Sequence, residues 1–269
     1  MKGESGARDL SIAVGIIVAL SRFAPDSFVW PTAIVLLAGV ILGSLQVLGE
    51  ADPAGQGAGV AIEGLLLPGA AALAGLGAIR LVPLGVVLAP AFVLAGGLIG
   101  LTLVTELRIA RASGPPSSAD RTAVLIEVLL VGFFGFAGVA VLVPGGLPAL
   151  DLSSSGTSSA LDVIAQAAAD GLIALLLAYR VAALRSSNVR DVAWFGITGA
   201  AVVAIAAVAL RSIEIPRILG PALLVLVFFL WDAIHVGTPR RRDPWRRWET
   251  IALAALAVIV IGWSLGFRA

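Results

Sequence analysis

Apolar residues run along this chain in long stretches separated by short polar connections. A helix that crosses a hydrocarbon core of about 30 Å needs about 20 mostly apolar residues. Nine stretches reach or approach that length, at 9–24, 28–48, 60–79, 84–104, 123–143, 161–179, 192–210, 218–236 and 249–266. The pattern predicts an all-α integral membrane protein of nine transmembrane helices, forming one transmembrane domain over 1–269 with no separate soluble domain. The first stretch is short and crosses only if Arg22 snorkels outward. The sixth is interrupted by Asp162, Gln166 and Asp170. The head of the first stretch carries Lys2 and Arg8 against Glu4 and Asp9, and no small-x-small site follows it, which argues against a cleavable signal peptide.

Charge then orients the predicted spans. Thirteen of the eighteen Lys and Arg residues fall on the side of the N-terminus, and five (Arg22, Arg80, Arg211, Arg217 and Arg268) fall on the other. The positive-inside rule therefore puts the N-terminus in the cytoplasm and the C-terminus outside. The tryptophans fit aromatic belts, with Trp30 and Trp263 at the outer interface and Trp194, Trp231, Trp245 and Trp248 at the inner one.

The odd-numbered stretches share features. Each has an acid near its cytoplasmic start (Asp9, Glu63, Glu127, Asp191 and Glu249), at gaps of 54, 64, 64 and 58 residues. Three of them end in an arginine followed by a proline: Arg22 and Pro25, Arg80 and Pro83, Arg211 and Pro216. Four tandem helical hairpins plus a ninth helix account for this order. Such repeats all point the same way, unlike the inverted repeats of many secondary transporters. Glycines at packing spacing, Gly39 with Gly43, Gly96 with Gly100 and Gly262 with Gly266, let helix backbones approach in lipid. Gly132, Gly135 and Gly138 line one further face.

Composition sharpens the class without adding an activity. The chain is 59% hydrophobic and 13% charged, with mean hydropathy +1.04 and net charge +1. These values exclude an ordinary soluble domain, a disordered chain and a nucleic-acid-binding protein. There is no cysteine, so disulfides, thiolate metal sites and cysteine catalysis are excluded. The preference for Arg over Lys and for Ala and Gly is associated with GC-rich prokaryotes, which suggests a cytoplasmic (inner) membrane.

Few residues are candidates for chemistry. Asp162, Gln166 and Asp170, spaced i, i+4, i+8, share one helix face and form a polar stripe or pathway candidate. The bland reading pairs these acids with outer arginines such as Arg80 or Arg211. Arg22, Arg80, Arg211 and Arg268 form a candidate site for an anionic headgroup, although the fifth stretch, ending in Val143-Pro144-Gly145-Gly146, would leave a gap in any ring of arginines. Arg240, Arg241, Arg242, Arg246 and Arg247, interleaved with Trp245 and Trp248, suit anionic phospholipids at the inner face or an acidic partner. Asp232 and His235, at i and i+3, are a proton-handling candidate. With one histidine and no cysteine, no metal centre or bis-histidine haem is expected, and no other cofactor is indicated. Glu63 and Glu127 sit inside their stretches as candidate buried carboxylates, and Glu50 with Asp52 is a slight divalent-cation candidate.

Enzyme patterns fail on inspection. Gly262-Trp263-Ser264-Leu265-Gly266 spells a hydrolase elbow, but within an apolar helix instead of a strand-turn-helix. Asp170-Gly171-Leu172-Ile173-Ala174 lacks the next arginine of the CDP-alcohol phosphotransferase motif. With no recognisable catalytic site, the sequence points to a non-catalytic membrane subunit, scaffold or lipid-associated protein. Its expected surroundings are the bilayer, anionic lipids and a membrane-protein partner, and not nucleic acid. Two alternatives stand beside it: a transporter or flippase for an anionic amphiphile, and a membrane-embedded lipid- or glycan-modifying enzyme using Asp170 or the Glu50/Asp52 pair.

Overall fold

The computed structural model describes residues 2–50, 62–82, 85, 88–112, 114–143, 159–186, 188–212 and 219–235. Among these residues there are eight α-helices and no strand: α1 (Lys2–Ser21), α2 (Val29–Gly49), α3 (Glu63–Ile79), α4 (Leu88–Arg111), α5 (Ser118–Leu142), α6 (Ala160–Ala183), α7 (Val189–Ser212) and α8 (Leu219–His235). A 3-10 turn at Asp26–Phe28 leads into α2. Each of the first eight stretches read from the sequence overlaps one of these helices. The ninth, 249–266, lies outside the described residues. Five helices, α2 with its leading turn and α4 to α7, are long and apolar enough to cross a membrane. The molecule is thus an α-helical bundle of membrane type. Its outer surface agrees, since large apolar side chains such as Val35 on α2, Val93 on α4 and Ile205 on α7 stand exposed, as lipid-facing residues do and soluble surfaces avoid.

Helix ends differ from the sequence expectation where protein, and not lipid, covers them. α1 begins at Lys2 because Gly3 and Ala7 pack against the ends of α4 and α2. A β-carbon on Gly3 would touch Arg111 and Leu107, and Ala7 is buried. α4 continues through Thr105, Glu106 and Leu107 to Arg111, and α6 through Arg180 to Ala183. Thr105 to Leu107 and Arg180 to Ala182, the parts of these extensions nearest the apolar runs, are buried. α5 and α6 open with capping boxes, Ser117 with Asp120 and Ser159 with Asp162, which satisfy two orphan N–H groups each. Ser159→Ala is therefore expected to destabilise the fold by about 1 kcal/mol, read as a lower melting midpoint in detergent. Asp162→Ala should do the same, because it removes the other half of that cap.

The centre of the bundle is α3. It packs against α1, α2, α4, α5 and α6, and nearly all its side chains are buried. Ala and Gly dominate it, which lets neighbours come close. Gly77 lies against Gly138 of α5, so near that a β-carbon on Gly77 would stand 2.5 Å from the Gly138 Cα. Gly15 of α1 meets Gly96 of α4 in a second close approach. α1, α3, α5 and α7 all start at one end of the bundle, called here the first end. The opposite end holds the starts of the even-numbered helices.

Candidate functional site

A bundle with a Gly/Ala-rich core has little room for charge, yet among its described residues it buries four carboxylates. At the first end, Arg180 of α6 clasps Glu106 of α4 with two hydrogen bonds. Its Nε donates to Oε1 at 2.7 Å and its Nη2 to Oε2 at 2.5 Å. Their side chains are 6% and 2% exposed. The two-pronged geometry is the one that lets an ion pair offset its desolvation. From the residue just before Glu106 on α4, the Thr105 hydroxyl donates to Oε1 of Glu127 on α5 at 2.5 Å, while Glu127 Oε2 is buried without a hydrogen-bond partner.

Arg185, just past α6, holds Asp232 of α8 in the same two-pronged way, at 2.7 and 3.0 Å. The Arg185 guanidinium also lies 6.0 Å from the centre of the Phe195 ring. Phe195 stacks at a tilt on Trp231, and Trp231 on His235, with ring centres 4.1 and 4.7 Å apart. Towards the opposite end, Arg211 of α7 reaches into α6. Its Nε donates to Gln166 Oε1 and its Nη2 to Asp170 Oδ2, both at 2.6 Å. Asp170 is fully buried, and its Oδ1 and the Nη1 of Arg211 have no hydrogen-bond partner. Beyond lies a surface knot in which Arg80 donates to Asp26 and to the Ser21 and Ala24 carbonyls, and Arg22 donates to the Val82 carbonyl.

These positions rearrange the sequence candidates. The polar stripe divides. Gln166 and Asp170 meet Arg211, whereas Asp162 turns back onto Ser159 as a cap. Among the proposed headgroup arginines, Arg22 and Arg80 share the surface knot, and Arg211 turns into the α6–α7 seam. Arg268 lies outside the described residues, as do Arg240, Arg241, Arg242, Arg246, Arg247 and Asp52. Asp232 and His235 are not joined. Both Asp232 oxygens are taken by Arg185, and His235 Nδ1 lies 2.8 Å from the Trp231 carbonyl, one helical turn back. Of the repeated acids, Asp9 is exposed beside Arg8, Glu63 is the first residue of α3, and Asp191 accepts from Asn188. Glu127 alone is buried, and Glu249 lies outside the described residues.

Glu106 and Arg180 were not legible as a site. In the sequence each falls just past the end of a predicted apolar stretch, where a charge needs no partner. The signal was periodicity: Glu106 follows Ile99 and Leu103 on the buried face of α4, and Arg180 stands between the buried Leu177 and Val181. A shallow cavity of about 320 Å³ opens between the ends of α1 and α4, lined by Glu4, Val104, Leu107, Arg108, Arg111 and Ala112. Its charged rim is already engaged, Arg111 with Glu4 and Arg108 with Asp120. Among the described residues, no three His, Asp or Glu side chains come together as a metal site would require. Compared with known proteins, the chain matches no family model, no curated protein and no solved structure.

Proposed function

We propose that the chain is a non-catalytic integral membrane component: a subunit, a scaffold or a lipid-associated protein. One observation carries this reading. Among the described residues, three of the four buried carboxylates are clasped by an arginine of another helix or its flank: Glu106 by Arg180, Asp232 by Arg185 and Asp170 by Arg211. Charges used in this way tie helices together. The same reading takes the chain as nine spans in four tandem hairpins plus a ninth helix. It takes the N-terminus as cytoplasmic and the C-terminus as external, in a prokaryotic inner membrane, on the strength of the Lys/Arg asymmetry in the sequence. α3, at 17 residues, would rise only about 25 Å, which suits a central helix shielded by its neighbours. The basic segment Arg240 to Arg247 would face anionic lipid.

Native mass spectrometry of the protein extracted in mild detergent from its own host tests the proposal. A stoichiometric complex, or a chain that retains an anionic lipid, is expected. A lone chain carrying neither would overturn it.

A second reading, a transporter or flippase for an anionic amphiphile, is favoured by one feature. The Asp170–Arg211 pair leaves one buried acceptor and one buried donor unmatched, as a pair that also meets a polar ligand would. Under that reading Arg211→Gln abolishes movement of a labelled anionic lipid between leaflets of reconstituted vesicles. Under the first reading neither protein moves it.

A further inference from the structure

Glu127 stands apart from the other buried carboxylates. Glu106, Glu127 and Arg180 gather where α4, α5 and α6 meet, with a single guanidinium for two carboxyls. That guanidinium gives Nε and Nη2 to Glu106. Glu127 is 2% exposed, receives the Thr105 hydroxyl on Oε1, and keeps Oε2 buried and unmatched. We propose that Glu127 is a proton-binding site within the bundle, holding a proton between its Oε1 and the Thr105 hydroxyl oxygen.

The surroundings argue for this from every side. On α4 the nearby charges are Glu106, which repels a second anion, and Arg108, which is largely exposed and turned to Asp120 at 3.0 Å. On α6 there is Arg180, already clasped. On α8, Asp232 is held by Arg185. α3 presents Ala74 and Gly77 to α5, with Glu63 only at its first residue. An ionised Glu127 would therefore be a buried anion supported by one hydroxyl, and a buried charge without a partner costs far more than one neutral hydrogen bond returns. A proton on Oε1 reverses the 2.5 Å bond, so that the carboxyl donates to Thr105 Oγ1. Oε2 is then a neutral carbonyl, the orphan that proteins tolerate best. A metal cation wants several oxygen ligands, whereas a proton needs one acceptor and no cavity.

The position also gives the proton a consequence. Loss of the proton would place a second anion beside Glu106 in competition for Arg180. Proton occupancy is thereby coupled to the clasp that holds α4 to α6. This inference does not rest on the non-catalytic reading, since a proton site serves a subunit and a transporter alike.

Infrared spectroscopy of the full chain in lipid nanodiscs tests it. At pH 7 the wild-type protein should show the carbonyl stretch of a protonated carboxylic acid, shifted when glutamate is carboxyl-labelled with carbon-13. The band should vanish in Glu127→Gln, and that variant, neutral and isosteric, should fold and melt at the wild-type midpoint. Absence of the band, its survival in Glu127→Gln, or its loss on adding NaCl at fixed pH would each overturn the proposal. So would failure of Glu127→Gln to fold. The isotope shift in the wild-type protein decides independently of any variant, because a band unmoved by labelled glutamate also overturns it.

Discussion

Arg180→Met should destabilise the bundle by about 3–5 kcal/mol, because it leaves Glu106 buried and unpaired. Against a total stability of about 5–15 kcal/mol for an ordinary domain, that loss would lower the melting midpoint sharply and cut the yield of folded protein. Methionine keeps much of the volume of the arginine stem, so the loss isolates charge from packing. The double variant Glu106→Gln/Arg180→Met removes both charges and should recover most of the loss, since replacing a buried pair by neutral groups is often close to neutral. A loss below about 1 kcal/mol in Arg180→Met would mean that water reaches Glu106, as at an exposed ion pair. The site would then have to be read as part of an aqueous path.

The second large effect belongs to packing. A β-carbon on Gly77 would fall 2.5 Å from the Gly138 Cα, and one on Gly138 would fall 2.9 Å from the Gly77 Cα. Both obstacles are backbone, so no side chain can turn aside, and α3 and α5 must separate. Gly77→Val and Gly138→Val should each cost about 3 kcal/mol, the upper end of ordinary overpacking. Gly39→Val and Gly97→Val put the same side chain where nothing lies within 4 Å and should change stability by less than about 0.5 kcal/mol. The comparison is read as four melting midpoints in one detergent. Equal shifts at all four positions would show that helix propensity, and not the α3–α5 contact, sets the response.

Hydrophobic runs made the eight described helices legible, because a membrane imposes one length scale on every span. They stopped short of the ends of α4 and α6 for one reason. An apolar run measures exposure to lipid, whereas Glu106 and Arg180 are covered by protein and neutralise each other across 74 positions of sequence. No local pattern carries such a pairing. The Asp170–Arg211 contact was one of the pairings the sequence offered, because a costly acid on α6 needs a cation at its own depth and Arg211 ends the adjacent helix. Glycine spacing was a weaker guide. Gly96 and Gly100 do meet α1, and Gly138 meets Gly77, but Gly39 faces open space. Spacing marks a face that can pack without saying which helix comes to it. Asp162 shared the helical face of Gln166 and Asp170, yet its place in the first turn of α6 made it a cap, a role that periodicity cannot separate from a pathway.

On the proposed reading, the buried charges bind helices to one another instead of lining a water path. Thiol accessibility tests it most directly, because the chain has no cysteine of its own. Ala167 and Ala174 flank Asp170 on the buried face of α6, and Asp162 lies at the open start of that helix. With a membrane-impermeant thiol reagent on both sides of reconstituted vesicles, Asp162→Cys should react, while Ala167→Cys and Ala174→Cys should remain protected. Labelling of both buried positions as fast as Asp162→Cys would contradict that reading and turn the α6–α7 seam into a polar pathway.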